Sequence, residues 1–321
     1  MTAPRPAGSG LGSTHVGTTP SGVPEAEAGS AAGQQENRMT TETPQQSPAT
    51  RTEVPGIQPG ASGEAQLEVV GVDKTYQARR GEVHALSNVN LSIGRGEFIS
   101  LVGRSGCGKT TLLRILAGLL PPTSGTVTAD GQSIWRGGKR NDEAFEHFGL
   151  VFQDANLFPW YTVADNVSLP LKLRGMGKRA RRARATELCE LVGLPGFENA
   201  YPRELSGGMR QRAAIARALS YDPTILLMDE PFGALDALTR DKMNLELQSI
   251  HAQAGATVVF VTHSISEAVF LADRVVLLTP RPGRIRSITP VPLARPRSLE
   301  TETSVEFQTI VRELRHELDE E

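Results

Sequence analysis

The chain has 321 residues, 39% hydrophobic and 22% charged, with 34 basic against 36 acidic side chains and a formal net charge of -2. So near-neutral a balance singles out neither nucleic acid nor an anionic membrane surface as partner, and the two cysteines, Cys107 and Cys189, are too few for a disulfide framework. No run approaches the roughly 20 apolar residues of a membrane span and no hydrophobic signal segment opens the sequence, which reads as a globular protein of a reducing compartment.

Residues 1–64 are rich in Pro, Gly, Ser, Thr, Gln and Ala with no aromatic side chain, and this composition predicts a disordered tail. Arg5, Arg38 and Arg51 are too scattered, and acidic residues too frequent, for a targeting peptide. A single large domain is expected over 65–296. It opens with Leu67-Glu68-Val69-Val70-Gly71-Val72 and Val89-Asn90-Leu91-Ser92-Ile93, whose partial alternation predicts a small β layer. Residues 97–102 are more continuously apolar and run into glycines, the pattern of a buried parallel strand feeding a helix. Strand-like runs follow at 150–152, 225–228, 258–261 and 275–278 with helical stretches between several of them. That alternation predicts a mainly parallel α/β sheet with its ligand at the carboxyl ends of the strands.

A helical subdomain is expected as an insertion over about 156–219. Within it, Lys178-Arg179-Ala180-Arg181-Arg182-Ala183-Arg184 precedes Leu188, Leu191 and Val192 in one amphipathic helix, and its basic face reads as solvated rather than as a nucleic-acid site. Over 297–321, Phe307, Ile310, Val311, Leu314 and Leu318 keep helical spacing, which predicts an amphipathic helix packed on its own domain.

Gly103-Arg104-Ser105-Gly106-Cys107-Gly108-Lys109-Thr110 fits the phosphate loop Gly-x-x-x-x-Gly-Lys-Ser/Thr, and it lies between a predicted strand and a predicted helix as that loop requires. Glycines let backbone N–H groups turn onto phosphates, and the helix starting near Lys109 adds its positive end. Lys109 is expected on the β and γ phosphates, Thr110 on Mg2+, and Thr111 within reach of the α phosphate. Cys107 reads as a small loop residue. Ile225-Leu226-Leu227-Met228-Asp229-Glu230 ends a buried strand in two carboxylates: Asp229 suits an indirect hold on Mg2+, and Glu230 the polarisation of an attacking water. Alone, such a pair equally serves as a helix cap or turn; beside a phosphate loop the catalytic reading prevails. In Leu205-Ser206-Gly207-Gly208-Met209-Arg210-Gln211-Arg212 a hydroxyl, glycine N–H groups and a helix start at Met209 together suit an anion.

That last segment matches the signature of ABC ATPases, and the resemblance extends over roughly residues 66–290. It implies a P-loop NTPase core with a small antiparallel β layer and an inserted helical subdomain, hydrolysing ATP with Mg2+. It also implies that Ser206, Gly207 and Gly208 contact the ATP held by a second ATPase subunit. On the same resemblance Tyr76 stacks on adenine and Gln153 is the Q-loop glutamine, touching Mg2+ or the attacking water. Ala234-Leu235-Asp236 is the D-loop, and His263 the switch histidine on the γ phosphate.

A finer resemblance, to importer ATPases for nitrate, sulfonates and taurine, rests on residues 158–167, on Gly208-Met209-Arg210-Gln211-Arg212, on residues 229–236 and on Arg281-Pro282-Gly283-Arg284-Ile285. It implies a homodimer at the cytoplasmic face of the cell membrane, powering import of a small anion such as nitrate, a sulfonate or taurine. Transmembrane permease subunits would dock on the helical subdomain, an extracytoplasmic solute-binding protein would act indirectly, and no nucleic acid is expected. Tyr161, where this subfamily more usually has an aliphatic residue, and the long N-terminal tail depart from the pattern, which leaves the solute open. The alternative is a soluble ABC ATPase acting on nucleic acid or ribosomes; a single signature and the lack of a coiled-coil insertion weigh against it. A module that binds ATP without turnover fits poorly with the presence of both Glu230 and His263.

Overall fold

The computed structural model describes residues 65–78 and 81–320, so the tail expected over 1–64 lies outside the described residues. The elements are, in chain order, β1 Ala65–Ala78, β2 Gly81–Gly94, β3 Phe98–Val102, α1 Lys109–Leu116, β4 Ser124–Ala129, β5 Gln132–Ser133, β6 Trp135–Arg136, β7 Lys139–Arg140, β8 Phe148–Val151 and α2 Val163–Val167. There follow α3 Leu169–Leu173, α4 Lys178–Leu191, α5 Gly207–Leu219, β9 Ile225–Asp229, α6 Ala237–Ala254, β10 Thr257–Val261, α7 Ile265–Leu271, β11 Arg274–Leu278, β12 Ile285–Pro290 and α8 Val305–Asp319.

Two sheets carry the fold. One is antiparallel, ordered β2-β1-β4-β5. The other is ordered β12-β11-β3-β10-β9-β8, with β11, β3, β10, β9 and β8 mutually parallel and β12 antiparallel at the edge. Strands β3, β9 and β10 are apolar at nearly every position because both faces are covered, and alternate side chains serve two different cores. Phe98, Val102, Leu226, Met228, Val258 and Phe260 enter the core beneath α2 and α4–α8; Ile99, Leu101, Ile225, Leu227, Val259 and Val261 enter the one shared with α1 and the antiparallel sheet.

The stretch 156–219 is only partly helical. Residues 156–162 form a loop fixed by the fully buried amide of Asn166, which accepts from Phe158 N–H at 2.7 Å and donates to the carbonyls of Phe158, Tyr161 and Thr162 at 3.1, 3.1 and 2.9 Å. Helix α5 begins two residues before Met209, because Ser206 caps it by accepting from Met209 N–H. It packs on β8 and α6 as well as on α2 and α4, so the helical part shares the core of the large sheet. Strands β4 and β12, short and half-exposed, carry too weak an alternation to announce themselves in the sequence. At the C-terminal end Phe307, Val311 and Leu314 of α8 are buried in that same core, with Ile310 and Leu318 partly so.

Parallel strands place all their carboxyl ends on one side. The connections leaving β11, β3, β10, β9 and β8 therefore carry, across one rim of the sheet, Arg281, residues 103–108, His263, the Asp229–Glu230 pair and Gln153.

Candidate active site

Helix α1 lacks what most other helices here possess. Side chains of Thr162, Ser206, Asp236, Ser264 and Ser304 cap α2, α5, α6, α7 and α8. Helix α1 instead starts after Gly108 with no side-chain cap, and its first intrahelical bond is Leu112 N–H to the Gly108 carbonyl, at 2.8 Å. The preceding amides of its first turn are thus unmatched donors at the positive end of a helix, the physical requirement for holding an anion. The loop before it can be built only with glycine at two points. Gly103 has φ +154° and a Cβ there would stand 2.7 Å from the Leu278 carbonyl oxygen; Gly108 has φ +101°, where a Cβ would stand 2.9 Å from the Ala85 carbonyl oxygen.

A cleft of about 440 Å³ opens over this loop, lined among others by Tyr76, Ser105, Gly106, Lys109, Glu230 and His263. Lys109 is buried, and its ammonium donates to the carbonyls of Gly103 at 2.7 Å and Arg104 at 3.3 Å. Cys107 beside it is fully buried and burial pushes its thiol pKa up, which disfavours the reactive thiolate. Arg104 points away and lies 3.8 Å from Asp319 of α8. Thr110 and Thr111 also line the cleft; Thr111 Oγ1 is 3.4 Å from the Tyr76 hydroxyl, and the Tyr76 ring receives the Lys74 ammonium at 5.4 Å from its centroid.

Thr110 Oγ1 donates to Asp229 Oδ1 at 3.0 Å, and Asp229 itself does not line the cleft. Burial raises the Asp229 pKa, the Thr110 bond opposes this and the neighbouring Glu230 charge adds to it. A half-buried carboxylate of raised pKa paired with a hydroxyl is a set of hard oxygen donors that a divalent cation such as Mg2+ would relieve. Glu230 adopts φ +44°, a conformation uncommon outside glycine, which turns its carboxylate to within 3.3 Å of His263 Nδ1. Gln153 does not line the cleft, yet its amide nitrogen and Glu230 Oε2 lie 3.5 and 3.6 Å from the one point where a Cβ on Gly233 would stand.

Ser206, Gly207 and Gly208 are not brought into this cleft. Ser206 and Gly207 face solvent, while Gly208 is buried against Thr239 and Gly207 abuts Leu235. The cleft also contains a residue that had drawn notice only through the finer resemblance: Arg281, whose Nε donates to the Gly106 carbonyl at 3.3 Å. Its neighbour Gly283 presses on the loop from outside, so closely that a Cβ would stand 2.0 Å from the Cys107 carbonyl oxygen.

Comparison with known proteins agrees with this geometry. A family model described as ABC transporter matches residues 86–233. An uncharacterized ABC transporter ATP-binding protein of Methanocaldococcus jannaschii is 50% identical over 242 residues, 75% of this chain and 87% of the relative. A taurine import ATP-binding protein of Burkholderia thailandensis is 49% identical over 69% of this chain and 82% of its own length. A nitrate import ATP-binding protein of Synechocystis is 48% identical over 68% and 80%. Among solved structures, a dimeric ATP-binding cassette in a post-hydrolysis state with ADP and inorganic phosphate superposes with a TM-score of 0.63 at 37% identity, covering 71% of this chain and all of that one.

Proposed function

Since the chain belongs to the ABC transporter ATP-binding proteins, we propose that it is the ATP-hydrolysing subunit of an importer for a solute bearing a small oxyanion group: nitrate, or the sulfonate of an alkanesulfonate or taurine. The observation that carries the hydrolytic part is the single cleft in which the uncapped start of α1, Lys109, Thr110, Glu230 and His263 converge. The relatives named for taurine and nitrate import carry the solute class.

In this reading residues 103–111 grip the polyphosphate and Tyr76 stacks on adenine, while Thr110, Asp229 and Gln153 would hold Mg2+. The metal would supply charge neutralisation as the γ phosphoryl group transfers. Glu230 accepts the proton of the water whose oxygen attacks the γ phosphorus, the bond to the β-bridging oxygen breaks, and ADP and phosphate leave. His263 donates to the γ phosphate. Ser206 and Gly207, exposed at the start of a helix and outside the cleft, serve with the adjoining buried Gly208 the nucleotide of a second copy, so that two composite sites form head to tail. Residues 65–296 act as the ATPase domain.

The permease surface in this reading is the loop before α2. Phe158, Trp160 and Tyr161 form an aromatic cluster there, with Phe158 centroids 5.5 Å from Trp160 and 5.8 Å from Tyr161, and Trp160 is 67% exposed. So large an exposed aromatic suits a protein interface. No helix among the described residues is long and apolar enough to cross a membrane, and attachment at the cytoplasmic face would come through the permeases, with a solute-binding protein on the far side.

Mixing Ser206→Arg and Lys109→Ala proteins tests the composite site. One site of a mixed dimer carries both lesions and the other carries neither, so ATP-dependent dimerisation returns on mixing although each variant alone lacks it. Normal ATP-driven dimerisation of Ser206→Arg alone rules the arrangement out. Solute-stimulated ATPase activity with the permeases in liposomes, compared across nitrate, taurine and an alkanesulfonate, tests the solute.

A further inference from the structure

Resting on the nucleotide-cleft reading above, we propose that Arg281 is a second cationic ligand for the polyphosphate of bound ATP, acting beside Lys109. The cleft sets a problem of charge. Lys109 brings one positive charge, already turned onto the carbonyls of Gly103 and Arg104, while Glu230 lines the cleft and Asp229 lies behind Thr110, and both bring negative charge. Even with Mg2+ bound, a nucleotide carrying several negative charges beside two carboxylates needs more cation than one ammonium adds.

Arg281 meets that need from the rim. It lies on the connection from β11 to β12, and it lines the cleft together with Ser105, Gly106 and Lys109. Its Nε is engaged with the Gly106 carbonyl at a long 3.3 Å, and its Nη2 lies 3.2 Å from where a Cβ on Gly106 would stand. The remaining N–H donors of this guanidinium have no protein partner among the described residues. Arg104, the arginine within the loop itself, is instead turned to Asp319 of α8 at 3.8 Å. A planar guanidinium with spare N–H groups matches phosphate oxygens in a way a lone ammonium does not.

Its position is fixed before any ligand arrives. The connection is stapled to β2, Gly283 N–H donating to the Ala85 carbonyl at 3.0 Å and Ser87 N–H donating to the Gly283 carbonyl at 2.9 Å. Within the turn, Thr279 N–H donates to the Arg284 carbonyl at 2.9 Å and Arg284 N–H to Thr279 Oγ1 at 3.1 Å. Backbone so tied leaves only side-chain rotamers to be ordered on binding.

The test is equilibrium binding of a non-hydrolysable imido analogue of ATP with Mg2+ to the full chain and to Arg281→Ala, Arg281→Lys, Arg281→Gln and Lys109→Ala. A charge-assisted contact at a partly exposed site predicts about tenfold weaker binding for Arg281→Ala. Arg281→Lys should recover part of the loss and Arg281→Gln none, because Gln can still donate to the Gly106 carbonyl but carries no charge. Wild-type affinity in Arg281→Ala overturns the proposal. So does recovery by Gln equal to that by Lys, which would make Arg281 a prop for Gly106 alone. If Lys109→Ala weakens binding while Arg281→Ala does not, only this inference fails; if Lys109→Ala also binds normally, the cleft reading itself fails.

Discussion

Gly283→Ala adds one methyl group at the tightest point around the phosphate loop. The new Cβ would stand 2.0 Å from the Cys107 carbonyl oxygen and 3.1 Å from the Ala85 carbonyl oxygen, whereas real Cβ contacts essentially never fall below 3.0 Å. The gap must therefore open by about 1 Å. Gly283 cannot retreat freely, because bonds to Ala85 and Ser87 hold it on both sides. Either those bonds yield or the loop moves inward. Overpacking of this kind costs about 1–3 kcal/mol. At about 2–4 °C per kcal/mol for a domain of this size, Tm should fall by roughly 2–12 °C. If the loop yields, a displacement near 1 Å at the amides proposed to hold phosphate predicts a loss of about 100-fold in kcat/KM. Thermal melting and steady-state phosphate release measure the two effects. A Gly283→Ala protein with both Tm and kcat/KM at wild-type values would refute the steric argument.

Glu230→Gln keeps the shape of the side chain but cannot take a proton, so kcat should fall by about 100- to 10,000-fold with ATP binding retained; single-turnover hydrolysis near wild type would remove Glu230 from the proposed role. Asp229 has its pKa raised chiefly by burial, so its stabilising contribution to the nucleotide-free protein is present below the unfolded carboxyl pKa and lost as pH rises through the raised folded value. Asp229→Asn should consequently raise the nucleotide-free Tm at neutral pH and flatten its pH dependence between the unfolded carboxyl pKa and the raised folded value while weakening the Mg2+ requirement for ATP binding, and an unchanged Tm profile counts against that reasoning. Arg297 is buried and donates to the carbonyls of Val269, Phe270, Ala272, Val291 and Leu293. Burial pulls its pKa down to about 10. Arg297→Ala strands those acceptors and should cost at least about 3 kcal/mol, read by urea denaturation; a loss under 1 kcal/mol would show that water reaches them.

Much of the site was legible because its parts are local. A phosphate loop, a strand ending in Asp229-Glu230 and the segment 205–212 each declare their chemistry within a few consecutive residues, and continuous apolar runs at β3, β9 and β10 signal strands buried on both faces. Periodicity likewise exposed α8, whose apolar stripe follows from helical spacing alone. What pattern could not reach was anything whose meaning depends on a distant neighbour. Arg297 follows Arg295-Pro296 in a stretch that reads as polar connector, and only the fold buries it as a cap on the carbonyl end of α7. Asn166 looks like an ordinary helix residue until its amide is seen holding the loop that presents Trp160.

The sequence by itself determined which residue types were available for phosphate, metal and water, because that chemistry is written in short runs of glycine, lysine, hydroxyl and carboxylate. Tertiary structure alone decided which of them meet. Parallel pairing of β11, β3, β10, β9 and β8 collects five separate connections along one rim, bringing Lys109, Glu230, His263 and Arg281 into one cleft and leaving Ser206 and Gly207 outside it. The physical reason is that strand order and direction are set by long-range burial of both sheet faces, a property of the whole core that no local window contains.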